Sequence, residues 1–85
     1  MRDTPYATEI ATGSHTFNVD EEARVERIFI KRQGEEQIRF SWWKNGNMLP
    51  RPLDLNEDEL FDLLQNGINR GVFTDEFRTR LRAIL

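Results

Sequence analysis

The hydrophobic pattern of this chain changes its period once, close to Asn56. Before that residue, apolar side chains recur at every second position, as Ile38, Phe40 and Trp42 do, which is typical of a half-buried β-strand. After it they recur at three- and four-residue spacing, as in a helix. A chain of 85 residues has room for one core. The sequence therefore predicts a single α+β domain over residues 1–85, with an antiparallel sheet of about four strands followed by two short C-terminal helices.

A first hairpin is indicated near the N-terminus. Apolar and aromatic residues alternate with polar ones from Tyr6 to Ile10 and again from His15 to Val19. The dipeptide Gly13-Ser14 lies between the two runs, and we expect the chain to turn there. On this interpretation residues 1–13 are either disordered or a first edge strand.

A second hairpin has the stronger pattern. Residues 24–32 are rich in β-branched and aromatic side chains, Gly34 interrupts them, and an alternating strand follows. Asn45-Gly46 predicts a tight turn after that strand, because both residues tolerate a positive φ. Prolines at 50 and 52 confine the next segment to the edge of the sheet.

Capping residues mark the start of each helix. Asn56 and Glu59 have the spacing of a capping box, Gly71 suits a left-handed C-terminal cap, and Thr74 can begin a second helix. The apolar side chains of the two helices form a stripe that we assign to the core or to a dimer contact: Leu60, Phe61, Leu64, Ile68, Phe77 and Leu81. Because this stripe is larger than one thin sheet covers, the sequence predicts a homodimer.

Composition limits the environment in which the chain works. It has no cysteine, so disulfides and thiolate metal sites are excluded and a reducing compartment costs no stability. No apolar run approaches the roughly 20 residues that span a bilayer. We therefore expect a cytoplasmic protein without a membrane partner.

The inventory of reactive side chains is small. His15 is the single histidine, and neither serine stands in a nucleophile-elbow sequence. The acidic residues between 54 and 62 lack the spacing of an EF-hand loop and fit the favourable interaction of acids with a helix N-terminus. The glycines occur singly, so no phosphate-binding loop is indicated. We expect no catalytic activity, no metal and no cofactor.

Charge is distributed unevenly along the chain. The formal net charge of −3 argues against a nucleic-acid partner for the molecule as a whole. Residues 24–51, however, carry seven basic side chains against three acidic ones, and these are the residues of the predicted central strands. This count is compatible with a local basic patch on one face of the sheet.

Side-chain alternation gives this patch a candidate face. If Ile38 and Trp42 point toward the core, Arg39 and Trp43 point away from it. If Ile28 also packs inward, its alternating neighbours join the outer face. The predicted nucleic-acid-binding residues are Arg27, Phe29, Lys31, Arg39, Trp43, Lys44 and Arg51. Single-stranded nucleic acid is bound by such sets, since bases stack on aromatic rings and phosphates pair with cations.

Two alternatives apply to the same residues. In the first, the helices cover this face, so that Phe29 and Trp43 are core residues and the long basic side chains reach the rim. Exposed tryptophan and arginine are also frequent anchors of protein interfaces. The second hypothesis is therefore a protein-interaction or regulatory module that binds no nucleic acid.

Residues 24–64, about half the chain, resemble the transcriptional coactivator family called positive cofactor four. The features in common are a hydrophobic strand, a turn at Gln33-Gly34, a strand that ends in aromatic residues, the basic-proline stretch MLPRPLDL and a leucine-rich helix opened by acids. The resemblance implies four antiparallel strands followed by a helix, single-stranded DNA binding across the sheet, and a two-fold dimer paired through the helix. By the same resemblance the DNA-facing residues are Arg27, Lys31, Arg39, Trp43 and Arg51.

Overall fold

The computed structural model describes residues 2–85 and contains a four-stranded antiparallel sheet followed by two helices. The predicted α+β class is confirmed. The strands lie in the sheet in their chain order, so the sheet is a simple meander. No helix within the described part of the chain is long and apolar enough to cross a membrane. The elements are β1 Ala7–Asn18, β2 Glu21–Ile30, β3 Glu35–Lys44, β4 Asn47–Leu49, α1 Glu57–Asn69 and α2 Asp75–Ile84.

The turn predicted at Gly13-Ser14 is wrong. Strand β1 passes through these residues without interruption, pairs Gly13 with Val25, and reverses into β2 only at residues 19–20. Gly13 is required for a different reason, which is the close approach of helix α1. A Cβ at Gly13 would lie 2.5 Å from the Cα of Gly67 in that helix. A glycine inside a strand here marks backbone contact across the core.

Local turn and cap predictions agree with the structure. Asn45 and Gly46 have φ values of 51° and 77° in the tight β3–β4 turn. The Asn56 side chain accepts a hydrogen bond from the Glu59 amide at 2.8 Å, and the Glu59 carboxylate accepts one from the Asn56 amide at 2.9 Å. Thr74 caps α2 through the Phe77 amide at 3.1 Å. These features depend on a few adjacent residues, which is why the sequence predicts them well.

The core lies between α1 and the first two strands. Leu63 of α1 is completely buried against Val25 and Ala23 of β2 and against Val72, which follows the helix. Gly67, one turn after Leu63, lets the helix backbone come close to the sheet. The buried line of α1 therefore runs through Leu63 and Gly67.

This line differs from the predicted helical stripe. Four of its members are exposed, namely Leu60, Phe61, Ile68 and Phe77. Leu64 and Leu81 are half-buried. The interpretation of the stripe as core is therefore wrong for the four exposed residues: on α1 the glycine contact turns Leu63 toward the sheet, and on α2 Phe77 faces an open groove. The role of the stripe in a dimer stays a prediction.

Candidate functional site

Cross-strand pairing defines two faces of the sheet. Helix α1 covers the face that carries Gly13 and Val25, which we call the helix face. Phe40 is paired with Val25 and shares this face, as Ile38 does two residues earlier. Arg39 and Trp43 lie on the opposite side, the back face, together with Glu26. The predicted alternation along β3 therefore agrees with the structure.

The predicted outer face, in contrast, is wrong on β2. Arg27 is paired with Ile38 and Phe29 with Glu36, so both residues lie on the helix face. The isoleucines Ile28 and Ile30 are buried on the back face. The aromatic and basic residues expected to share one surface are thus divided between the two sides of the sheet.

The predicted phosphate-binding cations are engaged with acidic residues. The Arg27 guanidinium lies 2.9 Å from the Glu36 carboxylate and also donates to the Val72 carbonyl at 2.7 Å. Lys31 lies 2.7 Å from Asp3. Arg39 lies 3.3 Å from Glu26. These ion pairs neutralise three members of the predicted set on separate parts of the surface.

The remaining predicted residues also lie apart. Trp43 is only 6% exposed, and the guanidinium carbons of Arg24 and Arg2 lie 3.9 and 4.5 Å from its ring centroid. The Arg51 guanidinium lies 4.4 Å from the ring centroid of Trp42, on the other face. Lys44 is exposed at the end of β3. The structure does not bring these side chains together as an open stacking surface.

The outer edge of β3 is the first feature that sequence reasoning did not find. Strand β4 pairs with β3 only at Trp42, Trp43 and Lys44. Within residues 2–85, the edge from Glu35 to Ser41 has no strand beside it. Pro50 directly follows the last residue of β4, and because proline is disfavoured inside strands it is the sequence signal that could have indicated this.

Hydrogen-bond alternation shows which main-chain groups this edge presents. The Asn45 amide donates to the Asp20 carbonyl at 2.7 Å, next to the Lys44–Glu21 pair. In an antiparallel ladder every second residue bonds to a given neighbour. Odd-numbered residues of β3 therefore bond to β2, and even-numbered ones point their amides and carbonyls outward. At the free edge these are Glu36, Ile38 and Phe40.

An apolar groove adjoins this edge on the helix face. Because α1 lies over β1 and β2, it leaves the helix face of β3 open, and α2 forms the far wall. The cavity has a volume of about 460 Å³. Its walls are apolar: Ile38 and Phe40 from β3, Leu64 and Ile68 from α1, and Phe77 and Leu81 from α2. Phe40 is 48% and Phe77 is 47% exposed. Apolar surface of this kind commonly marks an interaction site.

A polar cluster occupies the back face. Glu26 is completely buried, and its Oε1 accepts hydrogen bonds from Arg39 and from the Ser41 hydroxyl, at 3.3 and 3.4 Å. Burial raises the pKa of Glu26, and the neighbouring Glu9 carboxylate raises it further, whereas Arg39 and Arg2 act in the opposite direction. This cluster is buried and lies on the side of the sheet away from the apolar groove.

His15 and Asp62, one of the acidic residues between 54 and 62, form a contact between two elements. His15 Nδ1 lies 2.6 Å from Asp62 Oδ2 and thereby joins β1 to α1. In the described part of the chain, no three histidine or carboxylate side chains are grouped so that they could hold a metal ion.

Comparisons of this chain with protein-family models, with curated proteins and with solved structures gave no match.

Proposed function

We propose that this chain is a protein-binding module that pairs an extended segment of a partner protein with the free edge of β3. The observation that carries the proposal is a coincidence of position. Ile38 and Phe40 direct their main-chain groups to the free edge and their side chains into the apolar groove. In strand addition, main-chain hydrogen bonds provide affinity and pockets for alternate side chains provide specificity.

The length of the edge defines the segment that fits. Residues 35–41 are free of β4, and an added strand of about six residues would extend for about 20 Å. Every second side chain of that strand would face the apolar groove. The expected ligand is therefore an extended segment with bulky apolar residues at positions i, i+2 and i+4.

The charges of the sheet favour a protein ligand over a nucleic acid. Binding of single-stranded nucleic acid relies on phosphate-binding cations and accessible aromatic rings. Here Arg27 and Arg39 form ion pairs with acids, and Trp43 is buried. The free edge and the apolar groove need no cation to bind a strand.

Selection from random peptides tests the proposal without assuming a partner. A displayed library of twelve-residue peptides is selected on the full chain, and the enriched sequences are aligned. We expect bulky apolar residues at alternate positions and no proline between them. Enrichment of helical spacing, or of no pattern, would contradict strand addition.

A selected peptide then serves as the probe for matched variants. Ile38→Lys places a charge in the groove and should weaken peptide binding at least about tenfold, equivalent to about 1.4 kcal/mol. Phe61→Ser is the control, because Phe61 is 67% exposed on α1 and does not line the groove. Amide chemical shifts should move at Glu36, Ile38 and Phe40. Equal loss of binding in both variants, or shifts confined to other residues, would place the peptide elsewhere.

A further inference from the structure

Within residues 2–85 the back face has no helix over it, yet Glu26 and Trp43 are buried there. The N-terminal strap, residues 2–6, follows the outer edge of β1, where Asp3 bridges to Thr8, and covers part of the back face with Arg2. The Arg2 carbonyl accepts a hydrogen bond from the Glu9 amide at 2.8 Å, and the Arg2 amide donates to Glu9 Oε2 at 3.3 Å. The Arg2 guanidinium lies near the Trp43 ring and 3.6 Å from Glu26 Oε2. The strap thus closes over one carboxyl group and is held by another.

The carboxyl groups of Glu26 and Glu9 differ in the hydrogen bonds they accept. Glu26 Oε2 is buried and accepts no hydrogen bond within residues 2–85, and Arg2 Nη1 and Thr12 Oγ1 are likewise buried without a partner. Thr12 is paired with Glu26 across β1 and β2, so the three atoms belong to one cluster. A buried carboxylate oxygen without a hydrogen bond is costly, whereas a protonated carboxyl group is much less so. Closure of the strap therefore favours the neutral form of Glu26, because the effect of burial exceeds the opposing effect of the Arg2 charge.

Glu9 has the opposite preference. Partial burial acts to raise its pKa, but the neighbouring Thr12 and Glu26 side chains, the Arg2 amide and the positive charge of Arg2 together lower the pKa below its ordinary value. The neutral form is thus favoured at Glu26 and the ionised form at Glu9. The charged groups facing these two carboxyl groups are Arg2 from the strap and Arg39 from β3, and the strap carries one further acid, Asp3, which pairs with Lys31 at 2.7 Å.

We infer that residues 2–6 form a proton-dependent strap, which stays on the back face while Glu26 is protonated and Glu9 is ionised. In the open state Glu26 is solvated and binds its proton less tightly, so raising the pH through its titration favours opening. Glu9 binds a proton more tightly when the strap is open, so lowering the pH through its titration also favours opening. Closure is therefore greatest around the ordinary glutamate pKa of about 4.3 and falls on both sides.

Accessibility of Trp43 reports the state of the strap. Trp42 is replaced by Phe so that Trp43 is the single tryptophan, and its fluorescence quenching by acrylamide is followed across the pH range. The protection of the Glu9 and Val25 amides against hydrogen exchange is measured at the same pH values. We expect quenching to pass through a minimum as the pH is varied. On the acid side and on the alkaline side of that minimum, which we call the acid limb and the alkaline limb, the protection of the Glu9 amide against exchange should fall, while the Val25 amide in the core stays protected. Simultaneous loss of protection at Val25 would mean unfolding and would overturn the inference, as would quenching that does not change with pH.

Four variants, one of them a control, test which group causes the opening at high pH, which causes it at low pH, and whether Arg2 holds the strap. Glu26→Gln should remove the alkaline limb and leave the acid limb, and Glu9→Gln should keep quenching high at every pH. Glu35→Gln is the matched control, because Glu35 lies exposed on the same face at the start of β3 and accepts a hydrogen bond from Gln37 at 3.0 Å, away from Trp43 and the strap. A Glu26→Gln protein that keeps its alkaline limb would refute the proposed role of that carboxyl group. Arg2→Ala should give the open-state quenching at all pH values, and a closed-state value there would refute the role of the strap.

Discussion

The two halves of the helix face are built from the same sheet and covered differently. Over β1 and β2, α1 comes so close that Gly13 and Gly67 are in backbone contact and Leu63 is fully buried. Over β3, Ile38 and Phe40 have the same orientation but face an open groove. The difference shows that the position of α1 is set by a pair of glycines. The apolar residues of β3 are uncovered because the helix is committed to the other half.

The two outer edges of the sheet also differ, because the β1 edge is irregular and capped whereas the β3 edge is regular and open. The register of β1 shifts between Glu9 and Ala11 and between Thr16 and Asn18, and the Ser14 amide donates to the Asn66 side chain of α1 at 2.7 Å. Bulges and such caps prevent strand addition. The register of β3 with β2 has no shift from Glu35 to Lys44. Of the two edges, β3 is the one that can accept another strand.

The largest expected effect is a difference in stability between alanine substitutions at two adjacent leucines of α1. Leu63→Ala should lower the free energy of unfolding by about 3 kcal/mol, because loss of the buried side chain leaves a cavity in the core between α1 and the first two strands. Leu64→Ala should cost less than about 1 kcal/mol, because Leu64 lines the open groove. Urea denaturation measures both. Equal losses would mean that the groove is closed in solution.

The next prediction compares two glycines that are required for different reasons. Gly13→Ala should cost about 2 kcal/mol, because the new Cβ meets backbone atoms of Gly67 that cannot move aside. Gly34 has a φ of 67° and open space around it. Gly34→Ala should therefore cost only about 1 kcal/mol, from backbone conformation alone. Thermal unfolding ranks the two variants, and a reversed order would contradict the glycine contact.

A smaller effect, on peptide affinity, distinguishes main-chain pairing at the β3 edge from side-chain contact in the apolar groove. Ile38→Ala removes a groove side chain, and Ile38→Pro removes in addition an outward amide that takes no part in the β2 ladder. We expect the proline variant to bind a selected peptide about tenfold more weakly than the alanine variant, which corresponds to about 1.4 kcal/mol. Calorimetric titration measures both affinities. Equal affinities would show that the peptide contacts the groove without pairing with the strand.

What the sequence predicted correctly depends on neighbouring residues. The helix caps at Asn56 and Thr74 and the turn at Asn45-Gly46 are local, and the structure has all three. The facing of β2 could not be predicted in the same way, because Ile28, Phe29 and Ile30 give apolar side chains on both sides of the strand. Only pairing with β3 decides which side meets α1. The open edge is likewise a property of pairing between strands.

Self-association should be the weakest of these effects. A second copy can reach the apolar groove by pairing its own β3 with the free edge, and the homodimer predicted from the apolar stripe would then form there. Glu35, Glu36 and Arg39 act against it, because charged side chains on an edge strand disfavour pairing of like strands. We therefore expect sedimentation equilibrium to give the monomer mass of 10.1 kDa at micromolar concentration and a higher mass only toward the millimolar range. A micromolar dimer that Ile38→Pro leaves intact would mean that a second copy binds at another surface, which would leave the β3 edge free for a different protein.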